Sequence, residues 1–332
     1  MLYYHIGIFR MASLSHPMFA HHHHTDFLPV EKLLASKDRT GAGVSLVIPA
    51  YNEAETLPSL VGTIRRELVE RIPLLDELVV MDCMSTDDTV SRAGDEGAAV
   101  YSLNHVLRDY PVGPGKGAAL WKSLFVTTGD ILVCVDADIT DFDTRFVYGL
   151  LGPLLTEETI CFVKSHYARP LVLDNNAFEQ HGGRVTEILV RPMLSAFYPE
   201  ASRIYQPLSG EYAFRRNLIE EIPFSHGYGI EIQLLLSVLR KVKPSAVCQV
   251  DMDERRHRNR PLGELTTMAF GILQTLMRNL QEDGLVLLNR PLRETLFAAG
   301  GDGWRDREVR EVELPPARTV RADQEPATEA AL

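Results

Sequence analysis

Five consecutive apolar residues, Ile131-Leu132-Val133-Cys134-Val135, give way without a break to Asp136-Ala137-Asp138. A strand that is apolar on both faces needs cover on both faces, so this run belongs in the middle of a parallel sheet sandwiched between helices. Three further runs share its character: Val44-Ser45-Leu46-Val47-Ile48, ended by Pro49; Glu77-Leu78-Val79-Val80-Met81-Asp82; and the shorter Ala98-Ala99-Val100-Tyr101. Helices fit between them, over 55–69, after Thr86-Asp87-Asp88 with its N-cap chemistry, and over 116–127. This alternation predicts an α/β fold with a mostly parallel sheet and right-handed crossovers.

The second half is more mixed. Ile160-Cys161-Phe162-Val163-Lys164 and 246–250 read as strands, and 184–197 and 229–242 as helices. Leu265, Met268, Ala269, Ile272, Leu273, Leu276, Met277 and Leu280 recur at helical spacing, a stripe that suits a core or dimer face. The chain divides into a disordered leader (1–25), one catalytic domain (26–295, with halves at 44–140 and 141–295), and a mobile tail (300–332) rich in Glu, Arg, Pro and Ala without periodicity. His21 to His24 fall in the leader and are left out of the site; the tract could hold a metal adventitiously.

With a formal net charge of -11, the chain is a poor partner for nucleic acid or an anionic membrane, so an anionic substrate needs a local basic cluster. No stretch approaches the ~20 apolar residues of a membrane span. Cys83, Cys134, Cys161 and Cys248 are scattered without a C-x-x-C pair and read as reduced thiols of a cytoplasmic protein.

Three D-x-D triplets occur, Asp136/Asp138, Asp141/Asp143 and Asp251/Asp253, and only the first directly follows a buried apolar strand. Ligands of open α/β sheets bind beyond the carboxyl ends of strands. Two carboxylates there repel unless a cation joins them, and hard oxygen donors suit Mg²⁺ or Mn²⁺; a solvated turn is the alternative. Pro49-Ala50-Tyr51-Asn52-Glu53 and Asp82-Cys83-Met84-Ser85-Thr86-Asp87-Asp88 end the other two strands. Asn52, Glu53 or Asp82 could meet a base or ribose there, or these could be plain turns in which Asp87 and Asp88 cap a helix. Gly113-Pro114-Gly115-Lys116-Gly117 and Gly182-Gly183-Arg184-Val185-Thr186 each open a helix with glycine and a cation, as an anion site would, or as a flexible loop would. The first is not a Walker A loop, because Gly117 stands where Ser or Thr is required. Arg255-Arg256-His257-Arg258-Asn259-Arg260 is either a solvated basic face or a phosphate-facing patch with one His.

Together these segments resemble the GT-A glycosyltransferases of the glucosyl-3-phosphoglycerate and mannosyl-3-phosphoglycerate synthase family. The resemblance runs in order over roughly residues 44 to 265. Beyond the stretches above it includes Gln206-Pro207-Leu208-Ser209-Gly210-Glu211-Tyr212, Gly227-Tyr228-Gly229-Ile230-Glu231 and His257-Arg258-Asn259-Arg260-Pro261. It implies a retaining enzyme, usually dimeric, moving a hexose from a sugar nucleotide to the 2-hydroxyl of 3-phosphoglycerate. It also implies residue roles. Pro49, Ala50, Tyr51, Glu53, Cys83, Lys116, Asp136, Ala137, Leu208, Tyr228, Glu231 and Arg255 surround the donor, with Asp136, Glu231 and Arg255 acting in catalysis. Gly183, Arg184, Thr186 and Asn259 hold the acceptor. Asp138 and His257 ligate the metal, with Asp136 a further candidate.

Three departures from the glucosyl pattern, Cys83-Met84-Ser85 for Ser-Gly-Ser, Ser209 for Gly, and a different segment between Pro170 and Gly182 with Asn175, Asn176 and Phe178, lead the reading to GDP-mannose. GDP-glucose or UDP-glucose is the alternative. A polyprenyl-phosphate mannosyltransferase and a non-catalytic nucleotide-sugar binder are more distant readings.

Overall fold

The apolar runs become neighbouring strands of one sheet. The computed structural model describes residues 19–110, 113, 115–168, 171–173, 177–179, 183–255, 261–300 and 303–324. The first half runs β1 (Ala20–His23), α1 (Glu31–Thr40), β2 (Val44–Ala50), α2 (Leu57–Ile64), β3 (Glu77–Asp82), α3 (Thr89–Asp95), β4 (Ala99–Ser102), α4 (Lys116–Ser123), β5 (Ile131–Cys134) and α5 (Arg145–Thr156). Then follow β6 (Phe162–Ala168), β7 (Leu171–Leu173), β8 (Ala177–Glu179), α6 (Arg191–Phe197), β9 (Tyr212–Arg215), α7 (Arg216–Ile219), β10 (Phe224–Ser225), α8 (Ile230–Lys241) and β11 (Val247–Glu254). Last come α9 (Leu262–Glu282), β12 (Thr295–Gly300), β13 (Gly303–Glu308), β14 (Glu313–Leu314) and α10 (Ala317–Gln324). Two helices have π-helical turns: Arg65–Arg71 extends α2, and Thr186–Val190 leads into α6.

The main sheet has eight strands in the order β1-β11-β6-β9-β5-β2-β3-β4. All its pairings are parallel except those of β9, which runs antiparallel to both β5 and β6. Side chains of one strand alternate between faces, and the core divides accordingly. Val47, Leu132 and Cys134 join one apolar cluster with residues of α4 and α8. Leu46, Ile48, Ile131 and Val133 join the other with residues of α2 and α5. This two-faced cover is what the uninterrupted run before Asp136 demanded. The stripe on α9 is core over its second half, where Ile272, Leu276 and Leu280 are buried. Among the described residues no helix is long and apolar enough to cross a membrane.

Two expectations fail. Residues 20–25, placed in a disordered leader, form β1 and the start of a 3-10 turn (His24–Phe27), with β1 paired in parallel to β11 from Ala20↔Cys248 to His23↔Asp251. The histidines carry no strand pattern; Phe19 and Phe27, both buried, hold the segment down on either side. A Cβ on Gly152 of α5 would come 2.2 Å from the Phe27 ring, so the glycine makes room for it.

The described part of the tail, 303–324, is also built in. Glu313–Leu314 pairs with Phe224–Ser225, and Leu314, Ala317 and Val320 are buried. Trp121 Nε1 donates to Pro315 O at 2.7 Å. Glu311 is buried and accepts from Ser225 Oγ (2.7 Å), Gly227 N (3.0 Å) and Gly229 N (3.3 Å). A Cβ on Gly227 would lie 2.4 Å from the Glu311 carboxylate, and one on Gly229 would lie 1.9 Å from Thr275 Oγ1. A few isolated apolar residues and one carboxylate bound to backbone N–H groups leave no periodic trace in a sequence, which is why the segment looked mobile. Glu311→Gln keeps one acceptor oxygen where two served three donors. We expect it to destabilise the protein by about 1–3 kcal/mol, read as a lower urea midpoint; an unchanged midpoint would count against this role.

Candidate active site

Parallel strands deliver their carboxyl ends to one edge, and β2, β3 and β5 bring three polar loops together there. Asn52 N donates to Ser85 Oγ (2.9 Å), and Thr86 N donates to Asn52 Oδ1 (2.8 Å). Glu53 N donates to Thr89 Oγ1 (2.8 Å), and Thr56 Oγ1 donates to Ala137 O (2.8 Å). Asp82 accepts from Met84 N (3.2 Å) and Ser85 N (3.0 Å) within its own turn. Asp87 accepts from Thr89 N (3.0 Å), just ahead of α3. Asn52, Asp82 and Asp87 therefore shape the loops, the plainer of their two sequence readings. Met84 holds φ at 68°, the left-handed region that suits glycine.

On this frame sits a charged cluster. Lys116 Nζ is 2.5 Å from Asp136 Oδ1 and 2.6 Å from Glu231 Oε1. Arg255 reaches Asp138 Oδ1 (2.8 Å), Asp136 Oδ2 (3.4 Å) and Glu211 Oε1 (3.0 Å). Its Nη1 also donates to Tyr167 OH (2.7 Å), which in turn donates to Glu211 Oε2 (2.7 Å). Burial alone would lower the pKa of Lys116, but Asp136 and Glu231 outweigh it and raise it. Burial opposes the charge on Arg255 too, and Glu211, Tyr167 and the two aspartates reverse the effect. Burial pushes the Glu211 carboxyl up, against the pull of Arg255. Both Lys116 and Arg255 thus stay charged.

Three members of the cluster, Glu211, Tyr167 and Lys164, had no role in the sequence reading. Lys164 of β6 is buried, donates from Nζ to Ser209 O (3.0 Å), and lies 5.0 Å from the centre of the Tyr212 ring. Burial lowers its pKa to about 8, although the cluster's carboxylates pull the other way. A lysine closing an apolar strand run reads as a solvated end, and only the neighbouring acids could have flagged it.

The glycines serve packing. A Cβ on Gly117 would come 1.8 Å from Ser225 O, and one on Gly115 would come 2.4 Å from His226 O. Ala118 N donates to that same His226 carbonyl (2.8 Å). The start of α4 is thus pressed onto backbone, whereas the sequence suggested glycines cleared for a phosphate. Gly210 faces Asp136, whose carboxylate would lie 2.2 Å from a Cβ there. Ser209 Oγ beside it is buried and has no hydrogen-bond partner among the described residues.

Of the other anticipated donor residues, Pro49 and Ala50 end β2 and Cys83 N donates to Ala50 O (2.8 Å). The Cys83 thiol is pushed up to about 12 by burial and stays protonated. Leu208 is partly buried; Tyr51 and Tyr228 are exposed. Gly183 and the exposed Arg184 precede the π-helical turn that begins with the buried Thr186. This element is tied to the Leu208 loop by Arg191, which donates to Ser202 O (2.9 Å), Ile204 O (2.8 Å) and Tyr205 O (2.6 Å). His257 and Asn259 lie outside the described residues. The donor set suits a hard divalent cation. Asp136 and Asp138 offer carboxylate oxygens, and among the described residues four carboxylates (Asp136, Asp138, Glu211, Glu231) face three cations (Lys116, Lys164, Arg255), leaving one negative charge over.

Known proteins resemble this chain in sequence and fold. Residues 45–221 match the glycosyl transferase family 2 domain. The glucosyl-3-phosphoglycerate synthase of Petrotoga mobilis is 42% identical over 272 residues, 82% of this chain and 84% of its own. A crystal structure of the Mycobacterium tuberculosis glucosyl-3-phosphoglycerate synthase with Mn²⁺, UDP-glucose and phosphoglyceric acid superposes with a TM-score of 0.80 at 39% identity, covering 91% of this chain and 99% of that one. The mannosyl-3-phosphoglycerate synthase of Rubrobacter xylanophilus superposes with a TM-score of 0.82 at 35% identity, covering 91% and 96%. Fold and sequence together place this chain in glycosyl transferase family 2, as a GT-A glycosyltransferase of the glucosyl- and mannosyl-3-phosphoglycerate synthase family.

Proposed function

We propose that the chain transfers glucose from UDP-glucose, or GDP-glucose, to the 2-hydroxyl of 3-phosphoglycerate with retention of configuration. The observation that carries this reading is the Lys116–Asp136–Arg255–Asp138 constellation at the carboxyl edge of the sheet, on a chain 42% identical to glucosyl synthases. The case for mannose weakens on structural grounds. Met84 adopts the left-handed conformation natural to the glycine it replaces, so the turn is kept at a cost of roughly 1–2 kcal/mol. Ser209 uses its backbone carbonyl to hold Lys164, and Gly210, the residue packed on Asp136, is still glycine.

Asp138, with Asp136 and His257, would hold Mg²⁺ or Mn²⁺. When bound, the ion would neutralise charge on the leaving diphosphate. Arg255 and Lys116 are held charged beside the same aspartates and would share that task, the kind of electrostatic stabilisation that usually dominates catalysis. Glu211 and Glu231 are each paired with a cation, and Asp136 lies between two. A carboxylate so neutralised is a poor covalent nucleophile, which favours front-face attack with a donor phosphate oxygen taking the acceptor proton. Glu231, Leu208 and Tyr228 would border the sugar, and Pro49, Ala50, Tyr51, Glu53, Cys83 and Ala137 the nucleotide. Gly183, Arg184, Thr186 and Asn259 would hold the acceptor. A homodimer is part of the same proposal; exposed Phe297 and Trp304 on the β12–β13 hairpin are apolar surface a second copy could cover.

Incubation with UDP-glucose, GDP-glucose or GDP-mannose, 3-phosphoglycerate and Mn²⁺ should give glucosyl-3-phosphoglycerate as the main product by NMR. A mannosyl product formed faster would reverse the assignment. Arg184→Ala should raise the acceptor KM about 10- to 100-fold, the loss of a charge-assisted hydrogen bond, with the donor KM nearly unchanged; equal effects would sink the acceptor role. Lys164 loses its proton as pH rises through about 8, which removes a positive charge from beside the site's carboxylates and leaves the site more repulsive to a diphosphate. The donor KM should therefore rise above that pH in the native protein, and the step should vanish in Lys164→Met. Persistence of the step in that variant would assign it to another group.

A further inference from the structure

We propose that His23, His24 and Asp253 form a second metal site, separate from the donor site and selective for a borderline divalent ion such as Zn²⁺ or Co²⁺. Adjacent residues of a strand point to opposite faces. Here β1 ends at His23 and the 3-10 turn starts at His24, which turns both rings onto one carboxylate. His23 Nε2 lies 2.9 Å from Asp253 Oδ1, and His24 Nε2 lies 2.7 Å from Asp253 Oδ2. One ligand atom from each of the three residues falls within 4.8 Å of the others.

Each remaining ring nitrogen has a hydroxyl within hydrogen-bond reach. His23 Nδ1 is 2.7 Å from Thr25 Oγ1, and His24 Nδ1 is 2.9 Å from Tyr148 OH. With its proton on Nδ1 and donated to the Tyr148 hydroxyl, His24 directs its Nε2 lone pair to an ion; His23 Nδ1 accepts from Thr25 N (3.3 Å), a contact it would give up, moving its proton onto Nδ1 toward Thr25 Oγ1, to do the same. Asp253 lies where the register of β11 shifts and holds φ at 64°, a left-handed conformation that an aspartate inside a strand adopts at a cost. That bulge turns its carboxylate onto the two rings. Two nitrogens and a carboxylate suit Zn²⁺ or Co²⁺, in contrast to the aspartates of the donor site. Three protein ligands leave a fourth position for water, and the half-exposed Asp253 side chain gives an entry path. Such an ion would clasp the edge strand β1 to β11, two residues before Arg255.

The test uses the full-length protein without nucleotide. Calorimetric titration with Zn²⁺ alone, and the visible spectrum with Co²⁺ alone, are compared for the native chain, Asp138→Asn, His23→Gln and Asp253→Asn. Native protein and Asp138→Asn should both bind Zn²⁺ and show intense four-coordinate Co²⁺ bands. His23→Gln and Asp253→Asn, both changed at partly exposed side chains, should lose the bands and bind at least about tenfold more weakly. Absence of Zn²⁺ binding in the native chain would reduce the cluster to a hydrogen-bonded clasp and overturn the proposal. Binding lost in Asp138→Asn and kept in the two clasp variants would do the same by assigning the ion to the donor site.

Discussion

The site depends on one buried cation. The Arg255 side chain is 3% exposed, yet it lies against three carboxylates and a phenol. A guanidinium is hard to deprotonate and offers a planar fork of donors, so it can hold acids on several strands at once where a lysine could not. It joins Asp138 after β5, Glu211 before β9 and Tyr167 on β6. Burying so many charges is seldom stabilising in net terms. The gain is geometric: the two aspartates are fixed before any ligand arrives, and no reorganisation is needed when charge develops.

Much of this was legible in the residues. The strands that read clearly, β2, β3 and β5, are covered on both faces, and such cover leaves continuous apolar runs. Asp136 and Asp138 were separable from the other D-x-D triplets because a strand of that kind precedes them. β1 was not legible, since an edge strand held mainly by backbone pairing needs no apolar pattern, and four histidines suggested none. β9 was missed as a strand, being only four residues long. Lys164 and Glu311 were missed for a common reason: each is a lone polar group bonded to backbone atoms, and backbone atoms are the same in every sequence.

Glycines on both sides of the site let the backbone come close to its neighbours. Around Lys116 they permit α4 to touch the Ser225–His226 backbone, and around Tyr228 they make room for Glu311 and Thr275. These contacts bring Lys116 and Glu231 to one point from opposite sides. Close backbone approach was the physical inference for the Lys116 loop, and the protein's own backbone meets Gly115 and Gly117 there. The chain's last described helix and strand are thereby coupled to the site, since Glu311 fixes the loop that carries Tyr228 and leads to Glu231.

The reversed strand β9 changes which end of a loop does chemistry. Where strands run parallel, residues after the strand enter the site. β9 begins where β5 ends, with Tyr212 opposite Cys134, so the residues before it, Leu208 to Glu211, enter instead. The two kinds of loop have different freedom to vary. A segment leaving a strand for a helix can lengthen outward while the strand stays in place. A segment entering a strand is held at its far end by the ladder it must join in register, so an insertion would push Glu211 off Arg255 or slip β9 by a residue and exchange its two faces. With Leu208 bordering the sugar as proposed, diversity of sugar specificity among proteins of this architecture should arise there by exchange of side chains at constant loop length.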